Sequence, residues 1–304
     1  MRKKKLLFVF NPFSGKGQIK NKLMGIVDQF VKNGYEVTIY PTQKPQDAME
    51  LVAEDSGKYD LVVCSGGDGT LDEVVSGMMK RHKRIPIGYI PSGSTNDFAE
   101  SLKISKNMVK AAQMAVGGVP FACDIGNFNG EYFVYIAAFG LFTDVSYATS
   151  QELKNRIGHL AYILEGVKRI PAIQSYHLQI AYGDKQVEDE FIYGMITNST
   201  SAGGFKNITG KNVKLDDGMF EVTLIKMPKN PIELNEIIGS LTNLIDDTEL
   251  IYTFKTDCLK IKSLEKIPWT LDGEYGGSHR EITICNEEQA IEIMVKSDAK
   301  FLRS

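Results

Sequence analysis

Ser65-Gly66-Gly67-Asp68-Gly69-Thr70-Leu71-Asp72-Glu73-Val74 is the stretch on which the reading of this chain turns. It follows a short apolar run at 61–64 and opens a helix-like pattern at 71–80. Glycines let a backbone turn sharply and come close to a ligand. The helix that follows offers N–H groups and a positive dipole end to an anion, a phosphate above all. An aspartate in such a turn repels phosphate unless a cation lies between them, so Asp68 points to Mg²⁺. Glycine and aspartate are also common in plain β-α turns, and two adjacent glycines alone would mean no more than that.

Outward from this block, the first part of the chain alternates. Strand-like runs at 6–10, 36–40, 61–64 and 87–90 are separated by helical spacing at 19–32, 46–54 and 71–80. Two further helical stretches follow at 96–102 and 107–116. The order β-α-β-α predicts a parallel sheet covered by helices on both faces. Beyond about residue 122 the rhythm changes to successive strand patterns at 121–125, 132–138, 177–181, 191–198, 220–226, 250–256, 258–263, 282–285 and 291–295. Helical patterns at 153–169 and 232–244 interrupt them. The expected class is α/β: an N-terminal doubly wound parallel-sheet nucleotide-binding domain over 1–122, plus a β-rich, sandwich-like second domain over 123–295.

Two other strand-to-helix junctions share the character of the glycine block. Asn11-Pro12-Phe13-Ser14-Gly15-Lys16-Gly17 follows the first strand, and Pro91-Ser92-Gly93-Ser94-Thr95-Asn96-Asp97 follows the fourth. In a parallel sheet such junctions open on one edge, so the loops are expected to converge on one ligand. Neither fits the Walker A spacing, and no G-x-G-x-x-G fingerprint is present. Taken singly, Ser94-Thr95 reads equally well as a helix cap.

In this order and spacing, Asn11-Pro12-x-Ser14-Gly15, Gly66-Gly67-Asp68-Gly69-Thr70-x-x-Glu73 and Gly93-Ser94-Thr95-Asn96-Asp97 resemble the diacylglycerol kinase catalytic family, and most of all its soluble bacterial lipid kinases. Asp124-Ile125-Gly126, Leu215-Asp216-Asp217-Gly218-Met219-Phe220 and Leu271-Asp272-Gly273-Glu274 extend the likeness along the chain. The resemblance implies that Gly66, Gly67, Gly69 and Thr70, with Asn11, Pro12, Ser14 and Gly15, hold the ATP phosphates. Thr42, Glu73, Thr95 and Asn96 are implied as further nucleotide positions. Glu274 matches the general base, and Asp68 and Asp124 match acidic positions associated with catalytic Mg²⁺. Asp217, with the carbonyls of Lys214 and Met219, matches a structural Mg²⁺ site; on that basis Asp217→Ala should destabilise the second domain and abolish activity. The family fold also returns the chain's last segment, about 296–304, to the first domain. Asp72 stands where the family often has asparagine, and Ala202-Gly203-Gly204-Phe205 replaces a longer glycine run.

Read without the resemblance, Asp272-Gly273-Glu274 is an ordinary hairpin turn, and Asp216-Asp217-Gly218 an ordinary turn before a strand. Phosphoryl transfer, however, needs an aligned acceptor hydroxyl and a carboxylate to take its proton. Glu274 could serve as that carboxylate.

Composition narrows the class. With 35 basic and 38 acidic residues the chain lacks the basic excess of a nucleic-acid binder. No apolar run approaches the ~18 residues of a membrane span, so a lipid substrate would be met at the membrane surface. Lys16, Lys20, Lys168, Arg169 and Lys206 are candidates for that contact. The cluster Arg2-Lys3-Lys4-Lys5 precedes an apolar run too short for a signal peptide. Cys64, Cys123, Cys258 and Cys285 are widely spaced with no C-x-x-C pair and fit a reducing cytoplasm. The expectation is an ATP- and Mg²⁺-dependent kinase of a lipid hydroxyl, diacylglycerol first, cytoplasmic and transiently at the membrane, with relatives that are often homodimers. An NAD kinase-like enzyme, a kinase of another lipid (long-chain base, ceramide or polyprenol) and a non-catalytic regulator are the alternatives.

Overall fold

The computed structural model describes residues 3–94, 96–141, 173–199, 213–241 and 248–297. It divides into two compact units, one of Met1–Ile125 with Glu288–Ser304 and one of Gly126–Glu287.

In the first unit, β1 (Lys4–Phe10), β2 (Tyr35–Pro41), β3 (Leu61–Gly66) and β4 (Ile87–Pro91) pair in parallel in the order β2-β1-β3-β4. Every residue of β3 and β4 is buried, whereas β2, at the end of the order, is largely exposed. A strand covered on both faces needs apolar residues at every position, which is why these runs show no alternation. Helices α1 (Ile19–Lys32) and α5 (Met108–Gly117) pack together, as do α2 (Asp47–Asp55) and α3 (Asp68–Met79). The end of α1 is set by Gly34, whose φ of +85° lets its N–H reach the Val31 carbonyl at 3.0 Å. The side chain of Asn107 caps α5, accepting from the N–H groups of Val109 and Lys110 at 3.1 Å each. A short helix α4 (Asp97–Ser101) follows the β4 loop.

The second unit is built on strands that each serve two neighbours. The unit contains β6 (Glu131–Phe133), β7 (Ile136–Gly140), β8 (Tyr176–Tyr182), β9 (Lys185–Thr197), β10 (Phe220–Lys226), β11 (Ile251–Thr256) and β12 (Cys258–Leu271). The first half of β9 pairs with β8 and its second half with β7. Likewise β12 pairs with β8 near its start and with β7 at its end. The four ladders close a ring, β7-β9-β8-β12, and β10 and β11 attach to its outside edge. Closing a ring removes the unpaired edges of its own strands. Trp269 is fully buried, with Phe139 and Phe128 rings 4.9 and 5.1 Å away.

These ladders overturn the expected class. The catalytic fold is α/β, but its sheet forms a closed four-strand barrel with extra strands attached; it is neither a doubly wound nucleotide-binding sheet nor a sandwich. The strand that completes the parallel set beside β4 is the end of β13 (Glu274–Val295), through the Ile293–Ile87 pair. Local patterns reveal that a strand exists and leave its partner open, and here the partner comes from the far end of the chain. The pattern at 132–138, read as one strand, is broken between β6 and β7. The patterns at 282–285 and 291–295 belong to the single strand β13.

Cys258 and Cys285 face each other across the β12–β13 ladder and form a disulfide, while Cys64 and Cys123 are buried free thiols. Separation by 27 residues concealed this pairing from a reading of spacing alone. The helical pattern at 153–169, the segment 202–205, residues 298–304, Thr95, Lys168, Arg169 and Lys206 lie outside the described residues. Among the described residues no helix is long and apolar enough to cross a membrane.

Candidate functional site

The carboxyl ends of the four parallel strands carry the loops singled out by sequence. Gly67 begins α3 with an extended conformation and no side-chain cap. The N–H groups of Thr70 and Leu71 return to the Gly67 carbonyl at 3.1 and 3.2 Å. This leaves a helix start open to an external anion rather than to a serine or aspartate of its own.

Neighbouring loops close on that start through bare backbone. A Cβ on Gly93 would stand 2.5 Å from the Cα of Gly67, and one on Gly15 would run into the Ser92 carbonyl. Gly15 also has φ +55°. Main-chain hydrogen bonds tie the strand ends together: Asn11 N–H to Ser65 O at 2.9 Å, Ser92 N–H to Gly66 O at 2.8 Å, and Thr42 N–H to Phe10 O at 2.9 Å. The side chain of Ser14 also reaches this place, its Oγ 3.9 Å from where a Gly67 Cβ would lie. Asn11, Pro12, Ser14, Gly15, Gly66, Gly67, Gly69 and Thr70 therefore belong to one neighbourhood. Thr42 joins it at the end of β2.

Several predicted nucleotide residues turn out to hold the loops. Glu73, one turn into α3, accepts the N–H of Gln46 at 2.8 Å and of Ala48 at 3.2 Å. Gln46 is in the left-handed region (φ +66°), so the carboxylate fixes an unusual entry into α2. Asp47 completes the brace by accepting from Gln43 N–H at 2.7 Å. Asn96, also left-handed at φ +54°, accepts from Gly93 N–H at 2.9 Å and donates to Gly93 O at 2.8 Å. The Tyr89 hydroxyl sits 3.3 Å from both Asn96 Oδ1 and Gly66 O. Burial, with Asp68 as the largest charged contributor, pushes that phenol well above its ordinary range. Asp68 itself is the first residue of α3, two positions beyond the end of β3. Asp124 is fully buried in β5 (Val119–Phe128) and accepts the N–H of Gln289, itself at φ +49°. Sequence reading missed Tyr89, Asp47 and Gln289, because their roles rest on contacts and left-handed backbone that no motif encodes.

In the second unit, Lys214, Asp217 and Met219 share the turn leading into β10. Asp217 Oδ1 accepts the Met219 N–H at 3.2 Å. The Lys255 ammonium lies 3.7 Å from Asp217 Oδ2 and 2.8 Å from Glu221 Oε1. Burial pushes the Glu221 carboxyl up to about 7, against the downward pull of Lys255. One side-chain cation, the Lys255 ammonium, thus stands beside two carboxylates at the turn where the family resemblance implies Mg²⁺. Among the described residues no group of three or more histidine, cysteine, aspartate or glutamate side chains could hold a metal.

Glu274 opens β13 and is exposed. It pairs with Leu271 across a two-residue turn, Asp272-Gly273, with φ of +49° and +90°. Positive φ at both positions is the geometry that matches strand twist in the tightest hairpins.

Residues 5–128 match the family model described as the diacylglycerol kinase catalytic domain. The chain is 35% identical over 281 residues to a diacylglycerol kinase of Bacillus subtilis, covering 90% of this chain and 91% of that one. It is 34% identical over 301 residues to a diacylglycerol kinase of Staphylococcus carnosus, covering 98% and 97%. A solved structure of a diacylglycerol kinase from Bacillus anthracis superposes with a TM-score of 0.76 at 23% identity over 97% of this chain and 98% of that one, which supports the fold. With identity above 30% along nearly its whole length, and with the matched segment carrying the converging glycine loops, this chain belongs to the diacylglycerol kinase family.

Proposed function

We propose that the protein transfers the γ-phosphoryl group of ATP to a lipid hydroxyl, with diacylglycerol as the first acceptor and phosphatidic acid as the product. The observation that carries this reading is the approach of the loops after β1, β3 and β4 to the uncapped start of α3. Backbone N–H groups and the helix dipole favour phosphate there, and each close approach is made possible by a glycine. ATP bound with Mg²⁺ would supply an electrophilic phosphoryl group whose charge is partly neutralised. Asp68 would hold the cation at the head of α3. Thr42, Thr95 and the loops at Asn11 and Gly93 would orient the nucleotide, while Asn96 keeps the Gly93 loop in shape and Glu73 holds the entry to α2 beyond Thr42. Asp124 would act from inside the strand by fixing the backbone at Gln289. Glu274 would take the proton of the acceptor hydroxyl, the one proton transfer that the reaction asks of a side chain.

A lipid acceptor implies peripheral contact with a membrane, for which Lys20, flanked by the 81% exposed Phe13, is one surface candidate. Domain roles follow the same division, nucleotide on the first unit and lipid on the second. The testing experiment is transfer of labelled γ-phosphate to a panel of lipids in mixed micelles, wild type against Glu274→Ala. Labelled phosphatidic acid that is lost in the variant is the expected result. Label on another lipid would correct the acceptor, and label only on NAD would reject the lipid reading.

A further inference from the structure

Asp272 has no part in the proposed reaction, yet it is among the most heavily engaged carboxylates described. It is 7% exposed. Its Oδ2 accepts the N–H of Val134 at 2.6 Å, and its Oδ1 accepts those of Tyr135 at 3.0 Å and Ile136 at 2.9 Å. Its own N–H donates to the Ile136 carbonyl at 2.8 Å. The donors come from the break between β6 and β7, where the chain abandons its ladder and three consecutive N–H groups turn inward. A buried N–H without an acceptor is costly, and an ionised carboxylate, which only accepts, answers several at once. Beyond the break, Ala137, Ala138 and Phe139 pair with Leu271, Thr270 and Trp269. The turn that presents Glu274 is thus fastened to the barrel at its first residue, two positions before the catalytic candidate.

We infer that Asp272 is a positioning residue for Glu274: its carboxylate locks the Asp272-Gly273 turn onto residues 134–136 and so fixes where the Glu274 side chain leaves the strand. The inference rests on Glu274 serving as the base in the proposed reaction. Left-handed backbone at Asp272 is tolerated by asparagine as well. Asp272→Asn therefore keeps the backbone preference and the shape while removing the charge and replacing one acceptor oxygen by a donor.

The test is a kinetic cycle of wild type, Asp272→Asn, Glu274→Ala and the double variant, with the melting temperature of each. A misplacement of about 1 Å costs on the order of 100-fold in rate, so kcat of Asp272→Asn should fall by roughly 10- to 100-fold with the KM for ATP unchanged. In the Glu274→Ala background the same substitution should lower the residual rate no further, although its effect on melting persists. A purely structural role predicts equal losses in both backgrounds, and that result would overturn the inference; so would wild-type kcat in Asp272→Asn. A Glu274→Ala enzyme with full activity would instead reject the reading of Glu274 itself. If Asp272→Asn does not fold, Asp272→Glu keeps the charge and shifts the acceptor by one methylene. A folded Glu variant should show the same kcat loss, and unchanged kcat would overturn the proposal.

Discussion

The loops of the first unit and the turn of the second, the two places proposed for the reaction, are held in shape by opposite means. Around the start of α3, glycines bring backbone to backbone, Gly15 against Ser92 and Gly93 against Gly67, and the proposed anion site relies on main-chain groups. Around Glu274 the backbone is held by a side chain, with Asp272 gathering three N–H groups. A phosphate with many oxygens is well served by several N–H donors that need only converge. A single proton acceptor must be aimed, and aiming requires a rigid turn behind it. The first design is disabled by adding atoms and the second by removing a charge.

The largest effect should come from the aimed group. Glu274→Ala is expected to lower kcat by about 100- to 10,000-fold while nucleotide still raises the melting temperature. Loss of nucleotide stabilisation in that variant would break the division between the two regions. Next, Gly93→Ala should cost about 1–3 kcal/mol or force the loops apart, abolishing stabilisation by ATP while the second unit stays intact; hydrogen exchange would locate the damage. Retained ATP stabilisation would mean that the loops have room to spare. Glu73→Ala should be milder, because it frees two N–H groups at the entry to α2. About 1–2 kcal/mol would appear mainly as a few-fold rise in the KM for ATP, with kcat little changed.

The turn before β10 sharpens the comparison from another side. If Lys255 is its cation, Lys255→Met should lower stability by about 1–3 kcal/mol, and chelation of divalent ions should leave the melting of the nucleotide-free wild type unchanged. A large chelator effect, together with a destabilised Asp217→Ala variant, would place a metal at this turn. The smallest effect concerns pH. Glu221 has a folded pKa of about 7, above its ordinary 4.5, so the folded state binds more protons between those values. Its contribution is full below the ordinary value and is lost as pH rises through about 7. Lys255→Met removes the downward pull and should move that loss to higher pH, as read by melting scans across the range.

How far the sequence carries differs in the same way between the two regions. Glycine blocks and the β-α rhythm announced each loop, because a strand, a turn and a helix start are written within about ten residues. The Asp272 turn was visible as Asp-Gly, but its partners at 134–136 were read as the middle of a strand. A hydrophobic pattern cannot show where a strand breaks when its N–H groups find a side chain from 136 to 138 residues away. Glu73 and Asn96 were found as residues of the right neighbourhood. Their work as loop braces became apparent only with the left-handed backbone at Gln46 and Asn96.

By itself the sequence determined the β-α order of the first unit, the strand-rich character of the second and the family, since these depend on local spacing and residue type. Tertiary structure alone decided that β9 and β12 each divide between two neighbours and close a barrel. It also decided that β13 returns to β4, that Cys258 meets Cys285, and that Asp272 fastens the turn of Glu274. Pairing energy is summed over ladders between distant segments, and no single stretch of chain contains both sides of that sum.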